Sequence, residues 1–205
     1  MKFDQKIFLE NKLVIKNKKI KYYLSPNLLN NNFKHAFFTK GSSEINLCDL
    51  SKHLNPKNHI CVLNQVHSSQ IVFGSTTKQH MTREGDGIIC DKNDQSLWIY
   101  TADCMPILFA DKRKRFVAAV HCGRKGLENR IIKNVLRFFD NLETSKTDLL
   151  VAIGPSISQK YYLIDKKTLK NFYKKVNYEE SMQCHEDTKI SFPVENLFQL
   201  NMTDN

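Results

Sequence analysis

Two apolar runs of strand length, residues 107–110 and 116–120, flank a charged five-residue stretch at 111–115. A run without polar positions cannot present a wet face, so the strand over 116–120 should be covered on both sides. The charged stretch between the two runs reads as a hairpin turn. Each run also lies next to a residue able to bind a metal: Cys104 shortly precedes the first, and His121 directly follows the second. A third run, residues 60–63, leads to His67 in the same way. The pattern predicts that His67, Cys104 and His121 meet at one edge of a sheet. Pro106 lacks a ladder donor, so a bend or an edge position is expected there.

The rest of the chain supplies the layers. Residues 1–24 read as a strand pair with a turn near Asn17 and Lys18, and residues 25–32 as a polar turn region. A short strand at 35–40 runs into Gly41-Ser42-Ser43, a loop that offers Lys40 and backbone N–H groups to an anion. A short helix is expected at 47–54, a strand ending at His67, and further strands at 70–73, 88–90 and 97–100. Residues 76–84 read as a loop and Gly85-Asp86-Gly87 as a turn. Leu127, Ile131, Ile132, Val135, Leu136 and Phe139 follow the helical period, which predicts one helix packed on the sheet. A buried strand at 149–153, a helix at 166–176 and a last helix over 194–200 complete the reading. Strands and helices mix without strict alternation. The class is therefore α+β with a mixed sheet, in one domain over residues 1–205.

Composition removes several functional classes. Hydrophobic content of 41% and charged content of 25% suit a globular chain, and no apolar run approaches membrane length. Acids and lysines occupy the N-terminus where a signal peptide needs an apolar core, so a cytoplasmic protein is expected. The formal net charge of +10 comes from scattered lysines among many asparagines. That is a compositional bias with solvated charge, and a nucleic-acid partner is not expected from it. None of the six cysteines forms a Cys-x-x-Cys pair. In a reducing compartment most serve as small core residues.

Two histidines and a cysteine are the ligand set of a catalytic zinc with an open position for water. Asp103, beside Cys104, reads as a supporting partner, a general base or a turn cap. The competing structural reading is a pair of core histidines satisfied by backbone groups. A second chemistry uses Cys104 as nucleophile with His121 or His67 as base. One sulfur cannot serve both as a zinc ligand and as a free thiolate. Arg124, Lys125 and Arg130 lie near a helix N-terminus, where the macrodipole disfavours cations. A bound anion would resolve this, as would side chains splayed into water.

Four motifs occur in order: Asn64-Gln65-Val66-His67-Ser68, Thr101-Ala102-Asp103-Cys104-Met105-Pro106, Ala118-Ala119-Val120-His121-Cys122-Gly123 and Ala152-Ile153-Gly154-Pro155-Ser156-Ile157. Together they resemble the bacterial laccase-domain family, also called the multicopper polyphenol oxidase or peptidoglycan-editing-factor family. The resemblance implies a mixed β-sheet sandwich flanked by helices, with a fold related to that of the cytotoxic necrotizing factor toxins. It implies zinc bound by His67, Cys104 and His121, with copper as an in vitro substitute. It also implies phosphorolysis of adenosine, inosine, guanosine or methylthioadenosine, with adenosine deamination at the same site. Cys104, His121 and Asp103 become the catalytic candidates. Lys40, Gln65, Arg124 and Lys125 become the candidates for nucleoside and phosphate.

The chain departs from the family pattern at several points. Gly123-Arg124-Lys125-Gly126 replaces Gly-Trp-Arg-Gly, Lys40 stands where arginine is usual, and Tyr162-Leu163 replaces a tyrosine–glutamate pair. The chain also ends before a segment, common in the family, with a cysteine and a tyrosine–arginine pair. These departures suit a catalytically degraded member as the alternative, beside a Cys104 amide hydrolase acting on peptidoglycan precursors. Laccase chemistry is not expected: a multicopper site needs on the order of ten histidines, and the chain has seven.

Overall fold

The computed structural model describes residues 8–54, 59–77 and 83–176 and the backbone of residues 190–191. In chain order the elements begin with β1 (Leu9–Ile15), β2 (Lys18–Leu24), α1 (Pro26–Asn30), β3 (Phe37–Phe38) and α2 (Leu47–Leu54). The middle of the chain gives β4 (His59–Cys61), β5 (Leu63–Asn64), β6 (Ile71–Phe73), β7 (Arg83–Glu84), β8 (Gly87–Ile89) and β9 (Gln95–Leu97). The central hairpin is β10 (Met105–Asp111) and β11 (Val117–Cys122). It is followed by α3 (Arg124–Glu128), α4 (Ile131–Asn141), β12 (Leu149–Ile153), β13 (Leu163–Ile164), α5 (Lys166–Val176) and β14 (Ile190–Ser191).

The apolar hairpin lies at the centre of a five-stranded sheet, order β12-β10-β11-β8-β6, antiparallel except for the parallel β6–β8 pair. Its register pairs Met105 with Cys122, Pro106 with His121 and Ala110 with Val117. On one face Met105, Ile107, Phe109, Ala118, Val120 and Cys122 pack against α3, α4 and α5 in the main core. The opposite face is covered by two smaller groups. Leu28, Phe33 and Phe37 pack over Ala110, Leu150 and Ala152, while Cys61, Leu63, Val72 and Ile88 pack around Ala119. Both faces of the hairpin are covered, as its composition requires, and the architecture is mixed α+β.

Several local expectations change. Pro106 neither bends the chain nor sits on an edge strand; it is the second residue of β10, between β11 and β12. Its carbonyl accepts from Gly154 N–H at 2.8 Å. The donor it lacks would point the same way, just past the end of β12, so the β10–β11 ladder loses nothing. The single helix after Gly123 is two helices, broken at Arg130 in left-handed backbone (φ 59°, ψ 43°). The apolar face is as expected, with Leu127, Ile131, Ile132, Val135, Leu136 and Phe139 all buried. The break lets Gly126 press close: a Cβ there would stand 3.3 Å from Ile131 and 3.6 Å from the Ser68 carbonyl. The turn region at 25–32 contains the short helix α1, with Leu28 buried. The strand placed at 97–100 is β9, shifted to Gln95–Leu97 and parallel to β4. The helix expected over 194–200 lies outside the described residues.

Candidate metal centre

The three ligand candidates come from three chain segments, and the structure brings them together. One ligand atom each from His67, Cys104 and His121 lies within 4.8 Å of the others. Cys104 Sγ stands 4.0 Å from His67 Nε2, and the two imidazoles meet edge to face with centroids 4.7 Å apart. A tetrahedral zinc with bonds of ~2.0–2.3 Å separates its ligands by roughly 3.3–3.8 Å. The cluster therefore needs only a contraction of about an ångström. His121 is buried, Cys104 half-buried and His67 exposed, so the group opens to solvent on one side. Gly123 closes another side, since a Cβ there would stand 2.6 Å from Cys104 Sγ.

Each ligand is delivered differently. His121 occupies β11 on the sheet face away from the helices. Cys104 immediately precedes β10. His67 does not end a strand as expected: the strand run stops at Asn64, and His67 adopts left-handed backbone, φ 58°. A β-carbon disfavours that conformation, so neighbouring contacts must hold it. Those contacts converge on Asp86, which is fully buried. Its Oδ1 accepts from the His67 N–H at 3.0 Å and from His121 Nδ1 at 2.8 Å. Its Oδ2 accepts from the N–H groups of Ser68 (2.6 Å) and Val66 (3.3 Å) and from Ser68 Oγ at 2.9 Å. The Asp86 carbonyl accepts from the His121 N–H at 2.7 Å.

Asp86 is the residue that sequence reasoning missed by treating Gly85-Asp86-Gly87 as a turn. The signal was a lone acid between two glycines at a strand start. Both glycines are closely surrounded: a Cβ on Gly85 would lie 2.8 Å from Val72 Cγ2 and 3.3 Å from the Gln70 carbonyl, and one on Gly87 would displace the end of the Ile71 side chain. Burial opposes the charge on Asp86, but the bonds from His121, Ser68 and His67 prevail and hold its carboxyl below the usual range. An ionised Asp86 keeps the proton of His121 on Nδ1 and turns the Nε2 lone pair to the cluster, the support that metal-binding histidines commonly have. Burial pushes the Cys104 thiol up, and Asp103 and Asp86 add to the shift. Without a cation Cys104 is therefore a thiol and a poor nucleophile.

The remaining candidates fall into distinct settings. Gln65 spends its amide on Tyr100, with Nε2 donating to the Tyr100 carbonyl and Oε1 accepting its N–H, both at 2.7 Å. It thus ties the His67 segment to the segment that leads to Cys104. Asp103 is exposed; its carbonyl accepts from the Ile157 N–H at 2.9 Å, and its carboxylate makes no hydrogen bond among the described residues. Arg124 opens α3 and pairs with Glu128 four residues on; it also hydrogen-bonds Tyr162. Glu128 takes a second partner in Lys175, at 3.0 Å. The cation conflict at this helix start is thus relieved inside the protein for Arg124, and α3 has only five residues with which to build a dipole. Lys125 and Lys40 are exposed, and their ammonium groups have no partner among the described residues. Lys40 begins a short 3₁₀ turn after β3. No helix among the described residues is long and apolar enough to cross a membrane.

The fold is shared with solved proteins. It is similar to the Neisseria meningitidis protein NMB0706, with TM-score 0.62 and 20% identity over 94% of this chain and 81% of that one. It is also similar to YlmD from Geobacillus stearothermophilus, with TM-score 0.61 and 22% identity over 75% and 61%. Among curated sequences, the chain is 36% identical over 118 residues to purine nucleoside phosphorylase RP494 of Rickettsia prowazekii, covering 57% of this chain and 47% of that one. It is 33% identical over 150 residues to purine nucleoside phosphorylase RC0672 of Rickettsia conorii, covering 71% and 61%. The chain thus spans about half the length of the curated relatives it matches. Residues 42–204 match the model of the family described as multi-copper polyphenol oxidoreductase laccase, and the chain belongs to that family.

Proposed function

We propose that the chain is a zinc-dependent purine nucleoside phosphorylase. It would cleave adenosine, inosine, guanosine or methylthioadenosine with phosphate to the free base and a ribose 1-phosphate. The observation that carries this reading is the convergence of His67, Cys104 and His121 on one solvent-facing point, with Asp86 fixing two of them. The names of the relatives supply the reaction class. When bound, zinc would supply Lewis acidity at that point. The chain's own residues do the rest. His67, Cys104 and His121 hold the ion, and Asp86 keeps His121 in the ligating tautomer. Lys125, with Lys40 as a second candidate, meets the phosphate as a mobile point charge. A phosphate oxygen bonds to the ribose C1′ as the C1′–N bond breaks and its electron pair leaves with the base, which then takes up a proton. The free carboxylate of Asp103 is the candidate to relay that proton. Deamination of adenosine belongs to the same proposal as a side activity.

The Cys104 hydrolase reading loses ground because burial and two carboxylates hold the thiol protonated. The test combines metal content by mass spectrometry with chromatography of adenosine incubated with and without phosphate. One metal per chain and phosphate-dependent adenine release, both lost in Cys104→Ala, are expected. Base release that ignores phosphate, or no nucleoside turnover by metal-replete protein, would overturn the proposal. Inosine formation from adenosine reports the side activity.

A further inference from the structure

The two groups that cover the far face of the central sheet share Leu108, which packs against both. Between them lies a cavity of about 630 Å³, within the size range of small-molecule sites. Its floor is Leu108 and Ala119, and its walls include Leu28, Phe33, Leu97 and Trp98. None of His67, Cys104 and His121 lines it. Ala119 and His121 point to the same face, two residues apart on β11, so the floor begins roughly 7 Å from the metal centre along the strand.

The charges around this cavity are one-sided. Lys34, Lys92, Lys114 and Arg115 line it, against one acid among the described residues, Asp91. Asp91 is already committed, accepting from the Ser75 N–H at 2.8 Å, from the Ser75 hydroxyl and from Gln95 Nε2 at 2.8 Å. Arg115 lies over the Phe33 ring, 3.6 Å from its centroid, and donates to the Asn31 and Asn32 carbonyls. Lys114 donates to the Leu142 carbonyl. Lys34 and Lys92 are exposed, and their ammonium groups have no partner among the described residues. His35 adds no charge: its Nε2 accepts from the Ser25 N–H, its Nδ1 donates to the Phe33 carbonyl, and burial holds its pKa down.

We propose that this cavity binds an amphipathic organic acid, its apolar body over Leu108 and Ala119 beside Trp98 and its carboxylate at Lys34 and Lys92. An apolar floor alone would accept any oil, and surface lysines alone any anion. The two together select a molecule that carries both parts. The inference does not depend on the nucleoside reading, because the two sites share no residue.

Trp98 is the one tryptophan of the chain, so all indole emission comes from this wall residue. The full chain is titrated with butanoate, hexanoate, octanoate and decanoate below their micellar concentrations, and with octanol and inorganic phosphate as controls. Octanoate should saturate the Trp98 signal, with affinity rising roughly fourfold per added methylene as each is buried. The double variant Lys34→Glu/Lys92→Glu, altered only at exposed positions, should weaken octanoate at least tenfold and leave octanol unchanged. Ala119→Leu, which fills the floor, should weaken both. No saturable signal with decanoate would overturn the proposal. So would affinity independent of chain length with phosphate competing, which would mean an anion site only. Equal binding of octanol and octanoate would likewise remove the carboxylate from the site.

Discussion

Asp86→Asn tests the organisation of the candidate metal centre most directly. The carboxylate receives five donors: three backbone N–H groups, the Ser68 hydroxyl and His121 Nδ1. An asparagine is nearly the same size but turns an NH₂ towards one side of this ring of donors. At least two of the five then lose their acceptor in a place without water. Hydrogen bonds to a charged group contribute about 1.5–3 kcal/mol each, so the expected loss is about 3–5 kcal/mol. For a chain of this length that lowers the melting temperature by roughly 6–20 °C. Loss of the histidine's orienting partner should weaken metal binding about 10–100-fold. The assays are thermal denaturation of the metal-free protein and competition against a chromophoric chelator. The pH dependence has a fixed sign. A carboxyl held below its unfolded value contributes in full above that value, ~3.9, and loses its contribution as pH falls through the lower folded value. The gap between wild type and variant should therefore be constant near neutrality and close in acid below about pH 4. A variant that melts and binds metal like wild type would refute the role given to Asp86.

Other substitutions separate the remaining residues. Gly123→Ala places a methyl group 2.6 Å from the present Cys104 Sγ position. It should displace the sulfur and lower metal affinity at least about tenfold, as for a disturbed ligand support, read by the same chelator competition. Gln65→Ala removes two hydrogen bonds to the Tyr100 backbone, and urea unfolding should show about 1–3 kcal/mol less stability. Lys125→Ala should raise the phosphate KM with no change in melting temperature. Arg124→Ala should instead lower stability by about 1–2 kcal/mol, because Glu128 keeps only Lys175.

The double burial of residues 116–120 was legible because a run without polar residues admits only a doubly covered strand. His67, Cys104 and His121 were legible because each lies next to such a run. The detail that positions them was not. The left-handed turn at His67 contains no glycine to announce it, since four hydrogen bonds from residues 66–68 to a distant acid, rather than local preference, hold it there. Asp86 looked like a turn residue because its partners come from residues 66–68 and 121, far along the chain. The helix break at Arg130 also lacks a glycine or proline to announce it; it is marked only by left-handed backbone at an arginine. Gln65 became a substrate candidate through the family resemblance alone. The structure gives both of its polar ends to Tyr100. Periodicity reports burial, and these features depend on which buried groups meet.

Charge balance gives the last expectation. A divalent cation at the cluster would face one thiolate from Cys104 and, behind His121, the carboxylate of Asp86. Two negative charges offset two positive ones, so the filled centre is close to neutral where it is most buried. In the metal-free protein the same logic forbids the second charge. Burial, Asp103 and Asp86 all push the Cys104 thiol up, so it remains protonated at neutral pH. Metal uptake must then expel that proton. Between pH 7.5 and 8.5 affinity should rise about tenfold per pH unit, the slope for one proton released. Calorimetry in buffers of different ionisation enthalpy counts that proton directly, and Cys104→Ser should change the count. A release of zero in the wild type would mean either that Cys104 is already a thiolate or that it does not bind the ion. Metal binding to Cys104→Ala decides between the two: unchanged affinity would remove Cys104 from the centre, and loss of binding would mean the carboxylates govern the thiol less than their proximity implies.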